Sequence, residues 1–184
     1  MNTRSLTNPC TYDDYLVLTN SDKRYEVIEG EISVTPAPSP RHQEIQADLC
    51  ARMVPHVREQ QLGKVYISPI DVVLSMVDIV QPDILFVAKD RMHIVAKRNI
   101  VGIPNLIAEI LSPSSVQRDR VEKVDLYQRF GLPEYWIVDP DSETVELYLS
   151  AANRLEKVET LKTGEKLRSR QIPGLVLELT ELFS

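Results

Sequence analysis

Apolar and polar residues alternate along this 184-residue chain in a way that predicts short strands and two amphipathic helices. "RYEVIEGEISV" reads as a hairpin with Glu29-Gly30 at its turn and β-branched residues on both arms. "TPAPSP" ends that pattern, and Ser39 followed by Pro40 predicts an N-cap with proline at the first helical position, opening a helix to about Gln60. At roughly 100° per residue, His42, Ile45, Gln46, Leu49, Met53 and His56 gather on one side, while Glu44 points the other way. Pro55 is expected to kink or shorten the far end. Beyond Gly63, "KVYISPIDVVLSM" and "IVQPDILFVA" predict two strands with a turn near Met76 to Asp78, and "KDRMHIVAKRNIVGIP" a polar, basic connection.

"NLIAEILS" reads as a short buried strand, and the serines of "SPSS" as caps for a helix from about Ser115 to Phe130 that Gly131 and Pro133 stop. "EYWIVDP" is a further strand, "TVELYLSAANRLEKVETL" a hairpin around Ala152-Asn153, and "GLVLEL" a returning tail. This order predicts one α/β domain over residues 1–184: a mixed central β-sheet flanked by helices, with an N-terminal hairpin and a β-rich C-terminal appendage.

Three charged residues break the apolar pattern. Asp83 lies within "IVQPDILFV", sharing its side with Leu85 and Val87, and Glu109 lies within "NLIAEILS" between Ile107 and Leu111. An ionised carboxylate buried without a partner costs several kcal/mol or more, so each must be turned outward, paired or bound to a cation. Two such residues in interior strands favour a site for a hard divalent cation such as Mg²⁺, with Mn²⁺ as substitute, because these ions take oxygen ligands and retain water. The third is Lys123, which falls inside the helical stripe of Val116, Asp119, Leu126, Tyr127 and Phe130. Two readings are open: an Asp119–Lys123 pair at a helix edge with the ammonium extended to solvent, or a lysine reaching over the sheet toward Asp83 and Glu109.

Composition narrows the surroundings. A net charge of −6 argues against a general nucleic-acid coat but leaves room for local basic groups. Cys10 and Cys50 match no metal-ligand spacing and are too few for a disulfide framework, which together with the absence of a signal-like start or a bilayer-length apolar run favours the cytoplasm and no membrane. His42-Gln43-Glu44 imitates the H-x-E of zinc deaminases, but P-C-x-x-C is missing. There is no Walker loop, H-E-x-x-H or G-x-S-x-G.

"QPD" at Gln81 to Asp83 followed by "EIL" at Glu109 to Leu111 resembles the signature of the PD-(D/E)XK nuclease superfamily. The wider set of "YEVIEGE", "PSPRHQEI", "PNLIAEILSPSS", "KVDLY" and "GLPEYWIVDP" is similar to one branch, the Uma-type restriction endonucleases. The resemblance implies a restriction endonuclease-like core and Mg²⁺-dependent hydrolysis of phosphodiester bonds in nucleic acid, DNA foremost. It implies Asp83 and Glu109 as metal-holding catalytic acids, Lys123 as catalytic lysine and His42 as a further ligand. Gln46, Tyr127 and either Glu26 or Glu31 are expected to support the site. The superfamily places its lysine two residues after the second acid, where this chain has Leu111, so Lys123 would have to substitute from the following helix. Lys89, Arg91, Lys97, Arg98, Arg118 and Arg120 are candidates to grip phosphates. Leu111 and the acidic balance favour the alternative, a catalytically silent protein that uses the fold to bind nucleic acid or a partner. Exposed strand edges in the C-terminal segment would allow a homodimer.

Overall fold

Prolines hand the chain from one sheet to another. A computed structural model describes residues 9–18, 24–113 and 115–184. Helix α1 (Tyr12–Leu18) leads to a hairpin of β1 (Arg24–Ile28) and β2 (Glu31–Thr35), then α2 (Pro40–Glu59). The two long strands expected after Gly63 are four: β3 (Gly63–Ile67), β4 (Val72–Ser75), β5 (Asp78–Val80) and β6 (Ile84–Ala88). The breaks fall at Pro69 and Pro82, as expected of a residue with no N–H to give to a ladder. Next come β7 (Ile100–Val101) and β8 (Leu106–Ile110), a π-turn at Arg118–Glu122 running into α3 (Lys123–Arg129), and β9 (Glu134–Asp139). The chain closes with β10 (Thr144–Ala151), β11 (Arg154–Lys162), β12 (Lys166–Arg168), β13 (Val176–Glu178) and α4 (Leu179–Leu182).

One sheet has the order β2-β1-β5-β4-β7, and a larger one the order β11-β10-β9-β8-β6-β3. The larger sheet is mixed: β8 and β9 run parallel, while β6 pairs antiparallel with both β3 and β8. Its alternation supplies both layers. Ile84, Phe86, Leu106, Ala108, Trp136 and Val138 pack against Ile45, Leu49, Met53 and Val57 of α2. Leu85, Val87, Ile107, Tyr135 and Ile137 face Leu126 and Tyr127 of α3 and Val72 and Val80 of the smaller sheet.

Ser39 caps α2 as expected, its side chain accepting from the His42 N–H, and Pro55 does not shorten the helix, which continues to Glu59. α1 went unforeseen, although Thr11 and Asp14 form a reciprocal cap at its start. Ser114, one of the serines expected to cap the next helix, lies outside the described residues. The C-terminal tail closes the first layer, with Leu167, Leu177, Leu179, Leu182 and Phe183 in the α2-side core. In the C-terminal segment, "TVELYLS" lies in β10, paired on both sides by β9 and β11, and β11 is the strand at the sheet's edge. Cys10 and Cys50 are free, and no helix among the described residues is long and apolar enough to cross a membrane.

Leu49 is fully buried between α2 and the sheet. Leu49→Ala should lower stability by about 2–5 kcal/mol, measured as a shift in the urea unfolding midpoint with an unchanged slope.

Candidate active site

Asp83 is not in the middle of a strand. It stands immediately before β6, where the chain has just left the smaller sheet, and it reaches residues of both layers. Its backbone is pinned on every side. Gln46 donates from Nε2 to the Asp83 carbonyl at 2.8 Å, the Ser68 N–H donates to the same carbonyl at 3.0 Å, and the Asp83 N–H reaches Glu109 Oε2 at 3.3 Å. Gln81, two residues earlier, donates its N–H to Glu26 Oε1, and its side chain is gripped by Tyr15, Asp71 and Arg24. Oδ2 of Asp83 accepts from the Ile110 N–H at 2.9 Å and pairs with His42 Nε2 at 3.0 Å. Because an ionised carboxylate only accepts, Nε2 carries the proton.

Lys123 is 4% exposed and does not extend to solvent. Its ammonium lies 2.8 Å from Glu109 Oε1, 3.1 Å from Glu26 Oε1 and 3.4 Å from Asp119 Oδ1. The i,i+4 pair with Asp119 and the reach to Glu109 therefore coexist. The π-turn makes this possible locally: the Lys123 N–H bonds to the Arg118 carbonyl, five residues back, in a widened turn of the kind that recurs at functional sites. Tyr127, one turn on, donates to Glu109 Oε1 at 3.0 Å.

One cation shared among three acids sets the protonation pattern. Burial, first, and the nearby charges of Asp83, Asp119 and Glu26 push Glu109 up to about 8, against the pull of Lys123. Burial would also raise Asp83, but the hydrogen bond and charge of His42, the Ile110 N–H and Lys123 more than offset it and hold this carboxyl below the usual range. Burial opposes the Lys123 charge, yet Glu109, Glu26 and Asp119 outweigh it and keep the ammonium protonated. Both shifts upward are compatible, since Lys123 retains Glu26 and Asp119 when Glu109 carries a proton.

Asp83, Glu109, Lys123 and His42 line one cleft of about 250 Å³, with Arg24 and Arg118 on its wall. Among the described residues Asp83 Oδ1 accepts no hydrogen bond, its nearest cation being Arg24 at 4.0 Å, and Glu109 Oε2 accepts only the long bond from Asp83. His42 Nδ1 and Thr35 Oγ1 are buried here without a partner. One carboxylate oxygen without a hydrogen bond and another with a single long one, both on acids that line the cleft, suit a hard cation. Among the described residues no set of three or more His, Cys, Asp or Glu side chains is poised to enclose an ion, so such a cation would keep several waters. His42 spends Nε2 on Asp83 and so orients that acid; Gln46 holds its backbone rather than the cleft.

Other expected residues sit elsewhere. Glu31 pairs with Ile28 across the hairpin and so shares the face of Glu26, but it lies about 7 Å further along the strand at the exposed turn end. Glu26, 3% exposed, closes the site instead and also pairs with Arg118. Arg120 is held by Asp139 and Glu146, and Arg98 is exposed outside the cleft lining. Sequence reasoning passed over Arg24. Its only available signal was the alternation that places it, with Glu26, on one face of β1.

An acid at a strand entrance, a second acid in the neighbouring strand and a buried lysine from the next helix, on a mixed sheet, define a nuclease-like protein of the restriction endonuclease class. The chain belongs to the Uma2 family, described as "Putative restriction endonuclease", whose model matches residues 12–180. The uncharacterized protein sll1609 of Synechocystis sp. is 25% identical over 134 residues, 72% of this chain and 75% of that protein. A crystal structure from Anabaena variabilis, described as "a putative nuclease belonging to DUF820", superposes with a TM-score of 0.80 at 23% identity, covering 95% of this chain and 98% of that one, and shares the fold.

The raised pKa of Glu109 has a thermodynamic sign. Between the ordinary value of 4.5 and about 8 the folded protein holds a proton that the unfolded chain has released, so this group's stabilisation is full below the lower value and is lost as pH rises through the upper. In metal-free buffer, Glu109→Gln should flatten the decline in stability across that window, as read from unfolding midpoints; an unchanged slope would contradict the assignment.

Proposed function

We propose that this protein hydrolyses phosphodiester bonds of nucleic acid, acting as a Mg²⁺-dependent DNA endonuclease. The observation that carries the reading is the buried Lys123 ammonium on Glu109, beside Asp83, in a cleft that both acids line. Asp83 and Glu109 would hold Mg²⁺, which when bound polarises a phosphoryl oxygen and lowers the pKa of coordinated water. His42 keeps Asp83 ionised and oriented. Lys123 offsets negative charge that develops on the phosphate in the transition state; Glu26 and Asp119 fix its position, and Tyr127 holds Glu109. Arg24 and Arg118, on the cleft wall, suit a phosphate on its way in. Leu111 is turned into the core at 5% exposure. A silent member of the fold, binding nucleic acid or a partner without cutting, is the second reading that this residue favours.

Supercoiled plasmid incubated with the protein and Mg²⁺ or Mn²⁺ should be nicked or linearised, and EDTA should stop the reaction. Asp83→Asn should abolish cleavage, and Lys123→Met should reduce it by about 10²–10³-fold where circular dichroism shows an intact fold. Binding of plasmid with no cutting by the wild type in either metal would reject the enzyme in favour of the silent reading.

A further inference from the structure

A second cavity lies away from the acids. It measures about 610 Å³ and is lined by Val54, Val57 and Arg58 of α2, by Lys64 and Val65 of β3, and by Lys89 and Met92 of the 3-10 turn after β6. Val57 lies some 15 residues beyond His42 on the same helix, or roughly 22 Å at 1.5 Å per residue. β3 is the last strand of the larger sheet. Val57 and Val65 belong to the α2 layer and Met92 to the opposite one, so a cavity touching all three wraps around the strand's free edge.

That edge has a defined set of open backbone groups. The Lys89 N–H bonds to the Leu62 carbonyl and the Ser68 N–H to the Asp83 carbonyl, and in the antiparallel register Lys64 faces Val87 and Tyr66 faces Leu85. Even-numbered residues therefore exchange hydrogen bonds with β6, and Gly63, Val65 and Ile67 turn their N–H and C=O groups outward. No strand among the described residues pairs with them. The two walls differ in chemistry. Val54, Val57 and Val65 make the α2 side apolar, whereas alternation sends Lys64 to the other side, and Lys89 lines the same cavity. Lys64, Lys89 and Arg58 are exposed and take no part in the ion pairs of the described residues, in a chain whose net charge is −6.

We propose that this groove is a docking site for an extended peptide of another protein that adds to β3 as a seventh strand, its apolar side chains facing α2 and its alternate acidic side chains facing Lys64 and Lys89. Strand addition takes affinity from main-chain hydrogen bonds and specificity from alternate side chains. A second copy of this chain is disfavoured, because pairing β3 with itself would bring two Lys64 sets together. The inference stands apart from the phosphodiesterase reading.

The test uses the whole protein and a fluorescein-labelled peptide of four Glu-Val repeats, followed by fluorescence anisotropy. The peptide should bind at least tenfold more tightly than its Lys-Val counterpart and slow amide hydrogen exchange at Val65. Val65→Pro, which removes an outward donor and leaves the β6 ladder intact, should abolish binding. The exposed pair Lys64→Glu with Lys89→Glu should weaken it at least tenfold without dependence on how proline is tolerated. Equal binding of the two peptides, binding of neither, or unchanged affinity in the charge-reversed pair would overturn the proposal. So would displacement of the peptide by oligo-dT with loss of oligo-dT affinity in that pair, which would make the groove part of a nucleic-acid surface.

Discussion

The site is organised around one buried ammonium. Lys123 draws Glu26 from β1, Glu109 from β8 and Asp119 from its own helix onto a single charge, and each of those acids would be costly to bury alone. Hairpin, central strand and helix are thereby tied at one point. Four acids crowd into a small volume, and burial together with the charges of its neighbours pushes Glu109 toward neutrality. Such a pocket is primed for an added positive charge.

Asp83 depends on a different constraint, the transfer of the chain between sheets at Pro82. A proline ends the ladder of β5, and the few residues before β6 have no ladder of their own. Side chains take over, Gln46 from the α2 layer and Gln81 with its grip on Tyr15 and Asp71, while the backbone N–H of Ile110 in the neighbouring strand holds the Asp83 carboxylate. The acid is thus held by both layers of the protein at once, within reach of a histidine that alone would be an ordinary core-edge residue.

Much of this was legible in the residues. Asp83, Glu109 and Lys123 each violate an apolar pattern, and the violation is what located them; the inward face of α2, with His42 and Gln46, followed from helical period. What escaped had no such signal. Glu26 and Glu31 stand two apart in register on one hairpin face, and only the position of the turn tells which is enclosed. Arg118 and Arg120 are equivalent in sequence, yet one pairs with Glu26 at the cleft and the other with Asp139 and Glu146. The splitting of two strands into four was written in Pro69 and Pro82. A run of β-branched neighbours on either side masked it.

The π-turn ahead of Lys123 carries a consequence for how such chains diverge. Deleting one residue between Arg118 and Glu122 would let the helix become regular and would swing everything on its N-terminal side by about 100°. Leu126 and Tyr127 would stay packed, and the protein would still fold. Arg118 and Asp119 would leave the pocket together. A change of length at this single spot is therefore a route by which a lineage could keep the architecture and strip Lys123 and Glu26 of their partners Asp119 and Arg118.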